Sequence, residues 1–183
     1  VANGRDAADL PGLLHAQNRP AYVTLCARPG FITADELATA AETYLDANTR
    51  LGELSDCAVV LSGGDPRRLR AVERGFAGVE DEGSQLVAKV LAAAPVTGVE
   101  RTWVDLCAGP GGKTALLAGL ASSRNVSVIA NEVSPHRAEL VRASTKAFPD
   151  QTVQVLQGDG RDFGELHPGK ADRVLVDAQI GRA

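Results

Sequence analysis

Apolar residues recur along this chain in two rhythms, and the second begins near residue 76. From there on, short apolar runs alternate with longer segments whose apolar positions are spaced for a helix. Thr102-Trp103-Val104-Asp105-Leu106-Cys107 is a strand-like run that opens directly onto glycines. A helix over about Lys113 to Ser122 follows, with Leu116, Leu117 and Leu120 at helical spacing. Val126 to Asn131 reads as the next strand. Ser134 then supplies an N-cap, and Pro135 the first position, of a helix that carries Leu140 and Val141. Thr152 to Leu156 gives a third strand and Arg173 to Asp177 a fourth. Strands alternating with crossover helices imply a parallel sheet covered by helices, a Rossmann-like α/β domain.

Ahead of this unit, Asp81 to Leu91 forms an amphipathic helix that ends before Pro95. The first 75 residues are patterned differently. Tyr22-Val23-Thr24-Leu25 is a candidate strand, and Thr33 an N-cap for a helix through Asp46 with Leu37, Ala41 and Leu45 along one face. Ala58-Val59-Val60-Leu61 is a second strand, closed by the turn Gly63-Gly64-Asp65-Pro66. The reading is a small α+β domain over residues 1–75 and an α/β domain over 76–183, joined through Pro66 to Gly75. The chain contains no methionine, and it stops at Ala183, just after a strand. A piece of a longer protein is therefore expected, with the Rossmann-like domain incomplete at its C-terminal end.

Composition narrows the choices little. A formal net charge of -4 gives no electrostatic reason to expect nucleic-acid binding. No apolar stretch approaches the length of a membrane-spanning helix, and nothing near Val1 resembles a secretory leader. Cys26, Cys57 and Cys107 are scattered without a C-x-x-C pair, and His15, His136 and His167 are equally dispersed. Neither a disulfide framework nor a metal site is expected, and a reducing cytoplasm is the simplest compartment. A monomer is the working expectation.

The chemistry concentrates in Val104-Asp105-Leu106-Cys107-Ala108-Gly109-Pro110-Gly111-Gly112-Lys113-Thr114. A glycine-rich turn between strand and helix lets backbone approach a ligand closely. A P-loop requires glycine six residues before its lysine, where Cys107 stands, and the dinucleotide fingerprint requires a third glycine where Thr114 stands. The loop that wraps the methionine end of S-adenosylmethionine fits instead. Acidic residues then recur at the carboxyl ends of successive strands. Glu132 is placed for the ribose hydroxyls, Asp159 for the adenine amino group, and Asp177 for the methionine end or the substrate. Ligands of open α/β sheets bind outside those strand ends, so the positions converge on one crevice.

Asp105 to Thr114 resembles motif I of the Fmu/Sun (RsmB-like) RNA cytosine-5 methyltransferases. Glu80-Asp81-Glu82-Gly83-Ser84-Gln85-Leu86 is similar to the signature that precedes their catalytic domain. Gly158-Asp159-Gly160-Arg161 and Asp172 to Ala178 look like their third and fourth motifs. The resemblance covers about residues 76–178, and less distinctively a small RNA-binding module before them. It implies S-adenosylmethionine as cofactor, held by the loop Cys107, Ala108, Gly109, Pro110, Gly111, Gly112 and Lys113 together with Glu132, Asp159 and Asp177. It implies RNA, small-subunit ribosomal RNA foremost, as substrate. The family's fourth motif continues from Asp-Ala into Pro-Cys, whereas here Asp177-Ala178 is followed by Gln179-Ile180. A second cysteine, which attacks the cytosine ring, lies further along the family's catalytic domain than this sequence runs. No catalytic residue is therefore assigned.

Individual residues carry plainer readings. Cys107 is expected to be a small buried residue under the cofactor, and Asp105 to shape the loop by accepting its N–H groups. Lys113 heads its helix and is read as reaching the cofactor carboxylate or RNA backbone. Arg67, Arg68, Arg70 and Arg74 are a solvated linker or an RNA-backbone contact, and the sequence leaves both open. Asp81, Glu82 and Gln85 read as the polar first turn of a helix. His136 and Arg137 are read as helix surface without function. Two functions compete with RNA methylation: a catalytically inactive RNA-binding or regulatory protein with this fold, and a small-molecule methyltransferase.

Overall fold

The computed structural model describes residues 9–17 and 22–178. After helix α1 (Leu10–Gln17), the chain builds an antiparallel sheet around β1 (Val23–Ala27). Helix α2 (Ala34–Leu45) and β2 (Thr49–Leu51) lead to β3 (Ala58–Leu61), which pairs with β1 in the register Val23↔Leu61. Every residue of β3 is buried, as its unbroken apolar run requires. Helix α2 begins at a capping box: the Thr33 hydroxyl accepts from Glu36 N at 3.2 Å, and the Glu36 carboxylate from Thr33 N at 2.9 Å. Its Leu37, Ala41 and Leu45 are buried in one core with Leu25, Val59 and Leu61, on the face the spacing predicts.

Two edge strands lie outside the sequence reading. One is β2; the other is β4 (Ala77–Val79), giving the order β2-β3-β1-β4. Ala-Gly-Val has no strand signature of its own, and pairing with β1, with Leu25 opposite Val79, is what extends it. The first sheet therefore runs past residue 75, and its chain leaves at Glu80. The expected join at Pro66 to Gly75 is instead a 3-10 turn (Pro66–Arg68) and a short helix α3 (Arg70–Glu73). Leu69 between them is only 1% exposed and belongs to the first core, so this segment is packed rather than a linker.

The second unit follows helix α4 (Glu82–Ala93). It consists of β5 (Thr102–Asp105), α5 (Gly112–Ser122), β6 (Ser127–Glu132), α6 (Pro135–Thr145), β7 (Val153–Gln157), α7 (Phe163–Leu166) and β8 (Arg173–Leu175). The four strands are parallel in the order β7-β6-β5-β8, a Rossmann-like sheet. Chain order runs outward from β5 to β7 and then returns to β8 on the other side of β5. The carboxyl ends of β5 and β8 thus flank the switch point where such sheets open a crevice. Ser134 caps α6 with Pro135 at its start, as the sequence indicates. Helix α5 is buried nearly all round, from Thr114 to Ala121, because the sheet covers one side and α4 the other. At the foot of the sheet the Arg124 and Arg173 guanidinium carbons each lie 5.3 Å from the Trp103 ring centre, and Glu100 binds Arg173 and the indole N–H.

Three contacts lock the two sheets together. Phe31 stacks on Phe76 and meets Phe148 edge-on, with centroids 4.9 Å apart in both pairs. Arg28 is buried, and its guanidinium donates to Gly75 O at 2.6 Å and Ser144 O at 2.5 Å. Gln85 is fully buried and donates to Leu25 O at 3.3 Å and Glu80 O at 2.9 Å, pinning α4 to β1. Among the described residues, no helix is long and apolar enough to cross a membrane, and no His, Cys, Asp or Glu trio could hold a metal ion.

Candidate functional site

The loop from β5 to α5 is held in shape from three sides. Below it, the buried Asp105 carboxylate accepts from the Thr114 hydroxyl at 2.8 Å and from Cys107 N at 3.4 Å. Burial pushes its pKa up against the pull of these donors and of Lys113. Beside it stands Glu132 at the end of β6, 3% exposed. Its Oε2 accepts from Gly109 N at 2.9 Å and its Oε1 from Ser134 N at 3.0 Å. A Cβ on Gly109 would lie 2.5 Å from that Oε2, so only glycine admits the carboxylate. Behind the loop, Gly111 has φ 106°, and a Cβ there would sit 2.9 Å from Val141 Cα of α6. The Gly109–Pro110 peptide is cis.

These constraints leave a cleft of about 520 Å³ at the carboxyl ends of the strands, lined by Cys107, Glu132, Arg137, Asp159, Asp177 and their neighbours. Beside it lies a smaller hollow of about 130 Å³, which shares Cys107, Arg137 and Asp177 with it and also meets Ala108, Gly109, Pro110 and Lys113. Eight of the ten predicted positions therefore line these two adjoining cavities. Gly111 and Gly112 do not line them: the first makes room for α6, and the second lies against Glu80.

Charge in the crevice is balanced in pairs. Lys113 Nζ reaches Asp177 at 2.8 Å and donates to Ser84 Oγ at 3.1 Å, tying the glycine loop to the end of β8 and to α4. Asp159 accepts from Arg161 Nε at 3.0 Å, and this partner holds its carboxyl down at about 2. Cys107 lines both cavities, and burial together with Asp105, Glu132 and Asp177 pushes its thiol up. Burial likewise raises Cys57, to about 11, and Cys26. None of the three thiols is set up as a thiolate nucleophile.

The sequence reading missed two residues of this site. Arg137, read as idle helix surface, donates its guanidinium to Gly109 O and lies 3.7 Å from Glu132 Oε2, clasping the loop from the first turn of α6. Its place five residues after Glu132, at the head of a helix, was the available signal. Asn131, read as the last residue of a strand, is 4% exposed. Its amide donates to Gly158 O at 2.9 Å and Leu106 O at 3.4 Å, tying together the loops after β5 and β7. The signature Glu80 to Leu86 also does more than open a helix. Asp81 caps α4 by accepting from Ser84 N at 2.9 Å, and Glu82 accepts from Leu54 N at 2.8 Å in the first unit. The expected pair Gln179-Ile180 lies outside the described residues.

A parallel sheet opening at its switch point onto a non-phosphate glycine loop and a row of strand-end carboxylates defines a methyltransferase-type domain. A family model described as 16S rRNA methyltransferase RsmB/F matches residues 90–181, and the chain belongs to that family. A Mycobacterium tuberculosis protein carried as a candidate methyltransferase is 49% identical over 177 residues, 97% of this chain and 36% of its own length. The bovine (Bos taurus) 5-cytosine rRNA methyltransferase NSUN4 is 39% identical over 82 residues, 42% of this chain and 21% of its own length. The crystal structure of PH0851 superposes with a TM-score of 0.80 at 23% identity, covering 96% of this chain and 39% of that one, which supports the fold. The chain thus spans about a third or less of the length of these two sequence relatives.

Proposed function

We propose that the protein containing this chain is an S-adenosylmethionine-dependent RNA cytosine-5 methyltransferase acting on small-subunit ribosomal RNA, and that this chain supplies its cofactor crevice. The observation that carries the reading is the convergence of Cys107 to Pro110, Lys113, Glu132, Asp159 and Asp177 on one crevice at the switch point. The donor set fits the cofactor. Glu132 retains lone pairs on both oxygens beyond those given to Gly109 and Ser134, as a ribose diol requires. Asp159 offers an ionised acceptor for an adenine amine, and Cys107 to Pro110 of the glycine loop line the hollow available to the methionine end. When bound there, S-adenosylmethionine supplies an electrophilic methyl group.

The chain's own residues bind and orient. Arg137 and Glu132 fix Gly109, Asp105 fixes the loop's root, and Lys113 holds Asp177 beside the place where substrate would enter. The nucleophile is a different matter. In the family, covalent catalysis draws on cysteine thiolates. Here Cys26, Cys57 and Cys107 are all raised in pKa, and the fourth motif runs Asp177-Ala178-Gln179-Ile180. That last departure favours a second reading, a catalytically inactive RNA-binding or regulatory protein that keeps the cofactor fold.

Calorimetric titration of the purified chain with S-adenosylmethionine tests the cofactor assignment. Binding in the micromolar range that weakens in Asp159→Ala supports it; no heat of binding refutes it. Methyl transfer from labelled cofactor to unmethylated ribosomal RNA by the whole protein separates the active from the inactive reading.

A further inference from the structure

A second groove adjoins the crevice. Pro110 and Lys113 line both the small hollow beside the glycine loop and a separate groove of about 520 Å³ between β4 and α6. That volume lies within the roughly 300–1,000 Å³ typical of small-ligand sites. The walls are aliphatic, Val72 and Val79 on the strand side and Leu140 and Ala143 on the helix side. Val79 is 62% and Leu140 40% exposed, and both line the groove. Lys146 stands at the rim on the α6 side.

The floor is the informative part. Glu80 is 8% exposed, and among the described residues its Oε1 has no hydrogen-bond partner. The cations around it are engaged elsewhere: Lys113 with Asp177 and Ser84, Arg28 with the carbonyls of Gly75 and Ser144. Gly112 backs directly onto the carboxylate and leaves it space. Buried carboxylate oxygens are nearly always paired, and one left without a donor in a cleft points to a donor that arrives with a ligand.

We propose that this groove is a nucleotide subsite for single-stranded RNA, in which a base lies between Val79 and Leu140 with its exocyclic amine donating to Glu80. Lys146 meets the phosphate of that nucleotide. The proposal rests on the RNA methyltransferase reading above and adds a specificity-determining residue to it. Because the groove shares Pro110 and Lys113 with the hollow of the crevice but is distinct from it, the nucleotide it takes is a neighbour of the methylated one. A carboxylate accepts and does not donate, so the subsite favours cytosine, adenine or guanine over uracil, which has no exocyclic amine.

Fluorescence anisotropy with labelled single-stranded oligoribonucleotides of cytidine, adenosine or uridine tests this, at about pH 8, where the carboxylate is ionised, with saturating S-adenosylmethionine. The expected result is binding of the cytidine and adenosine oligomers about tenfold tighter than the uridine one, the worth of one charge-assisted hydrogen bond. Glu80→Gln erases most of that difference. Ala143→Glu, which narrows the groove and repels phosphate, weakens all three while leaving cofactor binding and circular dichroism unchanged. Discrimination that survives Glu80→Gln, or RNA affinity indifferent to Ala143→Glu, overturns the proposal. A chain that binds the cofactor but no RNA also overturns it and leaves the cofactor assignment standing. A chain that discriminates between the oligomers without binding the cofactor does the reverse.

Discussion

Glu132→Gln is the sharpest single perturbation of the candidate site, because the side chain keeps its shape and loses only charge and one acceptor. In the native loop each oxygen of Glu132 accepts a backbone N–H, from Gly109 at 2.9 Å and from Ser134 at 3.0 Å, while the side chain is 3% exposed. An amide has one oxygen and one NH2 group. Whichever way it turns, the NH2 faces a backbone N–H, so one hydrogen bond to a charged acceptor is lost and one donor is left unpaired. Bonds of this kind contribute roughly 1.5–3 kcal/mol. The variant is expected to lose about that much stability, in urea unfolding followed by the fluorescence of Trp103, the sole tryptophan and fully buried. On the cofactor reading it also loses a charged acceptor for the ribose, so calorimetry is expected to give a Kd for S-adenosylmethionine raised roughly 10- to 150-fold. A loss of stability with the Kd changed less than about threefold would make Glu132 a strut of the loop only and refute its ligand role. No change in either quantity would refute the geometry itself.

Three further outcomes follow from the same structure. Arg137→Ala removes the guanidinium from Gly109 O and Glu132; the cofactor Kd is expected to rise about tenfold by calorimetry, with partial recovery in Arg137→Lys. Phe31→Ala empties the centre of the Phe76–Phe31–Phe148 stack between the two sheets and is expected to cost about 3 kcal/mol, read from the urea midpoint. Burial, opposed by Lys113 and Arg28, raises the Glu80 carboxyl from its ordinary 4.5 to about 7. The folded chain therefore binds this proton more tightly than the unfolded one, and the penalty is absent below the unfolded value and complete above the folded one. The stability of the wild type relative to Glu80→Gln is expected to fall by roughly 3 kcal/mol as pH rises through that window, and a flat difference would refute the burial argument.

Where the chain's own periodicity sets an element, sequence and structure agree. Helix α2 carries its start in Thr33 and Glu36 and its buried face in Leu37, Ala41 and Leu45. Helix α6 carries Ser134 and Pro135, and the strands β5 and β6 are apolar runs ended by acidic residues. The glycine loop is legible too, since its spacing excludes a phosphate cradle by counting alone. These features depend on residues within a few positions of one another, so the chemistry that fixes them is written locally.

Long-range partners decide the remainder. Strand β4 exists because β1 pairs with it, and the packed turn around Leu69 exists because the first core takes that side chain in. Arg137 becomes part of the site only when the order β7-β6-β5-β8 brings the head of α6 against the loop after β5. Gly111 and Gly112 turn out to serve α6 and Glu80 rather than the crevice, although nothing near them in sequence says so. Glu80 stands just before a helix, in a motif of polar residues with nothing local to mark it as buried; the meeting of two sheets buries it, with no donor among the described residues for one oxygen. Sequence by itself determined the strongly patterned elements, the loop and the row of strand-end carboxylates, because each is fixed by hydrogen bonds and apolar spacing between near neighbours. The tertiary structure alone decided which charges are paired, which are buried, and which backbone the site residues hold, because those energies depend on groups brought together from distant parts of the chain.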